Sequence, residues 1–228
     1  MKKYNFKNLF IVTYGRTGST LLMSILNTLP NVLIRGENYN FCAGFFNSYK
    51  ALIGTKKLRD QTATNFPFYG ADAVNDEQYL LDIRSLIKNQ IVPFSMADNI
   101  SMWGFKEIRW VQNFQIENKS NYIDYLNFFE KLFPEAGFIV LTRQLELVAK
   151  SKWWAKMPRK KVQSSLSCFD SVIEEWSKDK KNIFKIDYSK MIDFNSNSLF
   201  DLLAWLGANT SEEQVFNINK VRSIKTPF

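Results

Sequence analysis

The 228-residue chain contains no histidine. That excludes Ser-His-Asp and Cys-His catalysis and every histidine-ligated metal site, leaving carboxylates, lysines and tyrosines as candidate general bases. Cysteine is nearly as scarce. Cys42 and Cys168 alone build no disulfide framework, and neither has neighbours at zinc-ligand spacing. No apolar run approaches the roughly 18 to 20 residues of a membrane-spanning helix. The N-terminus, MKKYNFKNLFIVTYG, starts basic, but its apolar run is too short for the apolar region of a signal peptide. These absences predict a cytoplasmic protein without a transmembrane segment.

What is present suits one domain, residues 1–228: 46% of residues are hydrophobic and 20 are Phe, enough for a sizeable core. Lys and Arg outnumber Asp and Glu by 30 to 22, and the net charge of +8 favours anionic partners without choosing among them.

Short apolar runs alternate with helically spaced ones. Leu9 to Thr13 reads as a buried strand; Leu21, Leu22, Ile25, Leu26 and Leu29 follow at helical spacing, and Pro30 ends that helix. NVLIRG, SMWGFKEIRW, FIVLT (138–142) and IFKIDY read as further strands. Helices are expected around Tyr79–Ile87 with Asn75 as cap, Ile123–Phe133, Leu145–Ala155, Leu166–Trp176 and Leu199–Leu206. A last helix is expected behind a Thr210/Glu213 capping box. Residues 44–75 read as irregular. The alternation predicts an α/β fold with a mainly parallel sheet flanked by helices.

VTYGRTGSTLL, residues 12–22, places a glycine turn between strand and helix. The first turn of such a helix offers unpaired backbone N–H groups and the positive end of its dipole, a natural seat for phosphate or sulfate. Arg16 adds charge, Thr17, Ser19 and Thr20 add hydroxyls, and Gly18 lets the backbone approach the anion. The Walker pattern is absent: no lysine follows Gly18, and FIVLTR ends in arginine where a nucleotide triphosphatase wants a carboxylate.

TYGRTGSTLL resembles the 5′-phosphosulfate loop of sulfotransferases that use PAPS (3′-phosphoadenosine 5′-phosphosulfate). Arg16, Thr17, Gly18, Ser19 and Thr20 fall on that pattern, and Gly15 stands where the family usually has proline. FIVLTRQLELVAKSKWW is similar to the family's 3′-phosphate motif, with Arg143 at a strand end and Ser151 eight residues on. IFKIDYSKM and LFDLLAWLGA resemble a later strand and helix of the family. The resemblance implies a P-loop NTPase-like fold and PAPS as sulfuryl donor, with PAP as product and no metal. It also implies that Arg16 to Thr20 hold the 5′-phosphosulfate while Arg143 and Ser151 hold the 3′-phosphate.

Carbohydrate-modifying branches of this family use a glutamate base shortly after the first helix, which implies Glu37 in IRGENYNF. Chain geometry points the same way. A helix from Thr20 to Leu29 climbs about 15 Å from the loop, and five extended residues, Val32 to Gly36, return about 16 Å. The resemblance further implies that Lys106 in GFK assists the leaving group; Glu107 is a rival base. The expected acceptor is a hydroxyl of a carbohydrate or glycolipid. Lys156, Arg159, Lys160 and Lys161 form a basic run that reads as a solvated loop, Trp153 and Trp154 are candidates for stacking on adenine or a sugar, and Arg222 and Lys225 fall where the family has a nucleotide-covering loop. A P-loop kinase or NTPase is the competing enzyme, and a non-catalytic PAP- or glycan-binding protein the competing non-enzyme. No nucleic-acid motif is present, and none is expected as a partner.

Overall fold

The computed structural model describes residues 3–111, 118–208 and 211–223. Thr210 and Lys225 therefore lie outside the described residues. A five-stranded sheet is formed by β1 (Asn8–Thr13), β2 (Val32–Arg35), β3 (Met102–Glu107), β4 (Ala136–Thr142) and β5 (Ile183–Asp187), in the order β2-β3-β1-β4-β5. Every neighbouring pair is parallel, with Ile11 opposite Lys106 on one side and Ile139 on the other. Helices connect the strands: α1 (Ser19–Leu26), α2 (Cys42–Lys56), α3 (Asp76–Ile91), α4 (Lys119–Leu132), α5 (Leu145–Ala149), α6 (Arg159–Trp176), α7 (Tyr188–Ile192), α8 (Ser198–Trp205) and α9 (Glu212–Ser223).

β1 is central and buried along its whole length, so its run of apolar residues serves both faces of the sheet. Phe10 and Val12 point to the layer made by α2 to α6, whereas Leu9 and Ile11 point to α1, α7, α8 and α9. The many phenylalanines have a purpose in the first layer. The Phe10 ring lies 5.0 Å from Phe105, 5.2 Å from Phe129, 5.1 Å from Phe133 and 5.6 Å from Phe138, mostly in edge-on or tilted geometry.

Two expectations fail locally. Residues 44–56 are helical, part of α2, rather than irregular. Only Cys42 and Phe46 of α2 are buried, so its sequence carries almost no apolar period to read. The helix expected from Leu145 to Ala155 stops at Ala149. Lys152 then takes a left-handed φ of 43°, turning the chain into a short 3-10 turn at Trp154–Lys156. Asn75 does cap α3, accepting from the Gln78 backbone N–H at 3.0 Å.

No helix among the described residues is long and apolar enough to cross a membrane. Because all strands run the same way, the turns after β1, β2, β3 and β4 leave from one edge of the sheet. The connection after β1 leads to the β2 side and that after β4 to the β5 side, so a crevice opens between the ends of β1 and β4. Phe10→Ala should cost about 3–5 kcal/mol in urea unfolding, whereas Phe216→Ala, on the exposed face of α9, should stay within about 0.5 kcal/mol.

Candidate active site

The turn from β1 to α1 is shaped around Gly18, which caps α1 in the left-handed region at φ 88° with no side-chain cap. A Cβ there would meet the Tyr188 ring at 2.3 Å, so only glycine lets that ring close over the turn. The first N–H groups of α1 have no partner within the helix and are presented to the anion seat. Ser19 and Thr20 line that seat; Thr17 does not. The Thr17 side chain is fully buried, its hydroxyl 2.7 Å from that of Thr13, which donates in turn to the Leu141 carbonyl at 2.7 Å. The expected hydroxyl contribution of Thr17 is thus a brace between β1 and β4, not a donor to the ligand.

Gly15, in place of the family's proline, is held by a tryptophan pair. Trp154 is core and donates its indole N–H to the Gly15 carbonyl at 2.9 Å. Trp153 stacks on Trp154 with centroids 4.1 Å apart, remains 42% exposed, and packs so closely that a Cβ on Gly15 would lie 2.7 Å from its ring. Of the two candidates for stacking on a ligand, Trp153 alone lines the cleft.

Arg143 and Ser151 meet through Arg16. Arg143 donates from Nη1 to the Arg16 carbonyl at 3.1 Å, and Arg16 donates from Nε to the Ser151 hydroxyl at 2.8 Å. Two turns of intact helix after Arg143 would have carried Ser151 away; the break after Ala149 brings it back. Arg143 lies 4.3 Å over the Tyr188 ring, and its Nε is buried with no protein acceptor. Tyr14 fixes the backbone beneath, its hydroxyl donating to the Arg143 carbonyl at 2.8 Å and accepting from the Arg143 N–H at 2.9 Å. Burial pushes the Tyr14 phenol up to about 12, so it stays a donor at any working pH. Neither Tyr14 nor Tyr188 was marked by local sequence, because each acts on a residue more than forty positions away.

Glu37 arrives beside this cradle. Lys106, buried on β3, donates to Glu37 Oε1 at 2.7 Å, and Arg109 donates from Nη1 to Glu37 Oε2 at 3.2 Å. Burial alone raises the Glu37 carboxyl, but the hydrogen bonds and charges of Lys106, then Arg109, outweigh it and hold it below the usual carboxylate range. Glu107 is placed differently from Glu37. It is 1% exposed, and its two oxygens accept from the backbone N–H groups of Asn38, Asn40, Ile108 and Arg109 and from the Arg109 guanidinium. A carboxylate so filled with donors ties the turn after β2 to the turn after β3 and is poorly placed to accept a substrate proton. Arg109 went unmarked in the sequence; it stands just beyond a strand end, where no periodicity constrains a side chain.

Together these groups line a cleft of about 390 Å³ in which Arg16, Lys106, Arg109, Arg143 and Lys152 surround the carboxylate of Glu37. Such a field concentrates a multiply charged anion. Lys156, Arg159, Lys160 and Lys161 are solvent-exposed outside it, but the run is not the expected loop, because Arg159 to Lys161 form the first turn of α6. Arg222 also lies outside, buried in the last turn of α9, donating to the Asp193 carbonyl and covering the Phe194 ring at 4.3 Å. Among the described residues no group of three or more acidic, cysteine or histidine side chains is arranged to hold a metal.

A parallel sheet with a glycine turn and uncapped helix end beside its central strand defines the P-loop NTPase-like class, and the absence of a lysine from the turn itself, Gly15 to Thr20, sets the chain apart from nucleotide triphosphatases. The chain belongs to the sulfotransferase family, whose model matches residues 8–212. Its fold is shared with the sulfotransferase domain from the curacin biosynthetic pathway (14% identity, 92% of this chain and 76% of that one, TM-score 0.55). It is shared too with the sulfotransferase domain from the Synechococcus PCC 7002 olefin synthase (16% identity, 96% and 88%, TM-score 0.53). No curated protein matches the chain in sequence.

Glu107→Gln replaces an oxygen acceptor by an amide that points its own donors at backbone N–H groups; it should destabilise the fold by about 2–4 kcal/mol in denaturant unfolding. Glu37 gives a pH signature. Because its folded carboxyl lies below the ordinary value of 4.5, its contribution is complete above that value and disappears as pH falls through the folded one. The stability gap between wild type and Glu37→Gln should therefore be constant from pH 6 to neutrality and shrink below about pH 4.5, as read by thermal unfolding across pH.

Proposed function

We propose that this chain is a PAPS-dependent sulfotransferase, with residues 1–228 as one catalytic domain, transferring a sulfuryl group to a hydroxyl of a carbohydrate or glycolipid. The observation that carries this reading is the Glu37–Lys106 pair standing in the same cleft as the Arg16 and Arg143 cradle. The residues fit the donor. The uncapped α1 terminus suits a phosphosulfate, and the buried Nε of Arg143, which lacks a protein acceptor, suits the further phosphate that distinguishes PAPS from ADP-like nucleotides.

When bound, PAPS supplies the sulfuryl group and a phosphate as leaving group. Arg16, with Ser19, Thr20 and the α1 N–H groups, holds the 5′ end, and Arg143 with Ser151 holds the 3′-phosphate. Glu37, kept ionised by its two cations, accepts the acceptor's hydroxyl proton as the oxygen attacks. Its weak basicity means that proton movement accompanies the attack instead of preceding it. Lys106 places a positive charge beside the oxygen on which negative charge grows. The rest of the work is alignment of the reacting oxygens. A carbohydrate acceptor is supported by Trp153, which lines the polar cleft while 42% exposed and offers stacking surface for a sugar ring.

Transfer from radiolabelled PAPS to a panel of oligosaccharides, glycolipids, small alcohols and tyrosine peptides tests this reading. Wild type should label a carbohydrate hydroxyl, and Glu37→Gln should lower the rate about 10²- to 10⁴-fold with PAP affinity unchanged. Tight PAP binding with no transfer to any acceptor would instead favour a non-catalytic binding protein. Full activity in Glu37→Gln would overturn the base assignment.

A further inference from the structure

Lys106 has two claims on it if the proposed function holds, and the present inference rests on that reading. Its ammonium is bonded to Glu37 Oε1 at 2.7 Å, yet the same ammonium faces the cleft into which the donor's anionic groups would enter. An ammonium is a compact charge with three donors on a flexible stem, so an arriving anion can draw it away. Glu37 would then lose its nearest cation while burial still acts to raise its carboxyl. Burial disfavours a carboxylate, so without other support the proton affinity of Glu37 would rise and its ionised form would be held less firmly.

Arg109 is built to prevent that. One guanidinium nitrogen, Nη1, bridges Glu37 Oε2 at 3.2 Å and Glu107 Oε1 at 3.1 Å. Glu107 cannot follow a ligand, because it is buried and fastened to four backbone N–H groups from two turns. Tyr39 covers the guanidinium at 4.6 Å, although the ring is 85% exposed and its backbone sits at a left-handed φ of 60°. Such a conformation is retained only where surrounding contacts enforce it. Here the next residue is held on three sides: Asn40 bonds Glu107 through its N–H, Arg109 through its amide, and Tyr125 through its side-chain oxygen. The charged groups around Glu37 are thus Lys106 and Arg109 in contact, Arg16, Arg143 and Lys152 across the cleft, and Glu107 behind Arg109. Without Arg109, Glu37 and Glu107 would face each other with no cation between them.

We propose that Arg109 is a positioning residue that keeps Glu37 ionised and oriented while Lys106 turns to the anion in the cradle, with Glu107 as the fixed post behind it. Lys106 is the mobile cation of the pair, Arg109 the stationary one.

The test is carbon-13 NMR of glutamate-labelled protein, following the Glu37 carboxyl through a pH titration with and without saturating PAP, its resonance identified by its loss in Glu37→Gln. In wild type, PAP should move the titration midpoint only slightly. In Arg109→Gln the midpoint should rise modestly without PAP, as one of its two cations is lost, and with PAP rise further by more than one pH unit, about tenfold in proton affinity. Arg109→Lys should restore most of the wild-type behaviour. Lys106→Met supplies an arm independent of how well the Arg109 variants fold: its Glu37 should still titrate low, and PAP should no longer shift it. An equal midpoint change in Arg109→Gln with and without PAP, or none in either state, would overturn the inference alone. A Lys106→Met protein whose Glu37 titrates in the ordinary range would overturn it as well. Failure of wild type to bind PAP in calorimetry would overturn the functional reading beneath it.

Discussion

The cleft depends on β1 lying between β3 and β4 in a sheet whose strands all run one way. Parallel pairing sends every strand's carboxyl end to the same edge, so turns distant in sequence open side by side there. The Thr13–Thr17 hydroxyl pair, donating on to Leu141, locks the end of β1 to the end of β4. Tyr14 then clamps the backbone of Arg143. The backbone carrying Arg143 is consequently fixed by buried groups, and the two side chains are set by the Ser151 hydroxyl and the Arg16 carbonyl.

Charge is distributed on that frame with a division of labour. On the β1–β4 side, arginines surround a seat made of backbone N–H groups. On the β3 side, a carboxylate and a lysine stand as a pair, with Arg109 and Glu107 behind them. Glu37 and Glu107 show how environment separates two identical side chains. One faces the cleft on two cations, and the other is buried in backbone amides where it organises two turns. The first is left open to the cleft, and the second is committed to structure.

The sequence declared the central strands clearly, because β1 and β4 are nearly continuous apolar runs and β1 serves both faces of the sheet. Motif spacing singled out Arg16, Gly18, Arg143 and Ser151, and family resemblance with the return of β2 singled out Glu37; the fold brings them to one end of the sheet, and their roles belong to the proposal. What the sequence concealed follows physical lines. α2 hides because only one edge of it is buried. The break after α5 hides because Lys152 adopts a left-handed φ without a glycine to announce it. Thr17 looked like a ligand donor because local sequence cannot say which way a hydroxyl points. Arg109, Tyr14 and Tyr188 act across loops, and contacts of that range leave no local pattern.

The central claim is that the cradle is shaped for a nucleotide bearing a separate 3′-phosphate, read by Arg143. Calorimetry of PAP, ADP and Mg-ATP against wild type and Arg143→Ala tests it most directly. The account predicts micromolar-range PAP binding, much weaker ADP, and loss of the PAP preference in Arg143→Ala; an order of magnitude in affinity corresponds to about 1.4 kcal/mol. Equal or tighter binding of Mg-ATP, or a PAP affinity indifferent to Arg143, would contradict it.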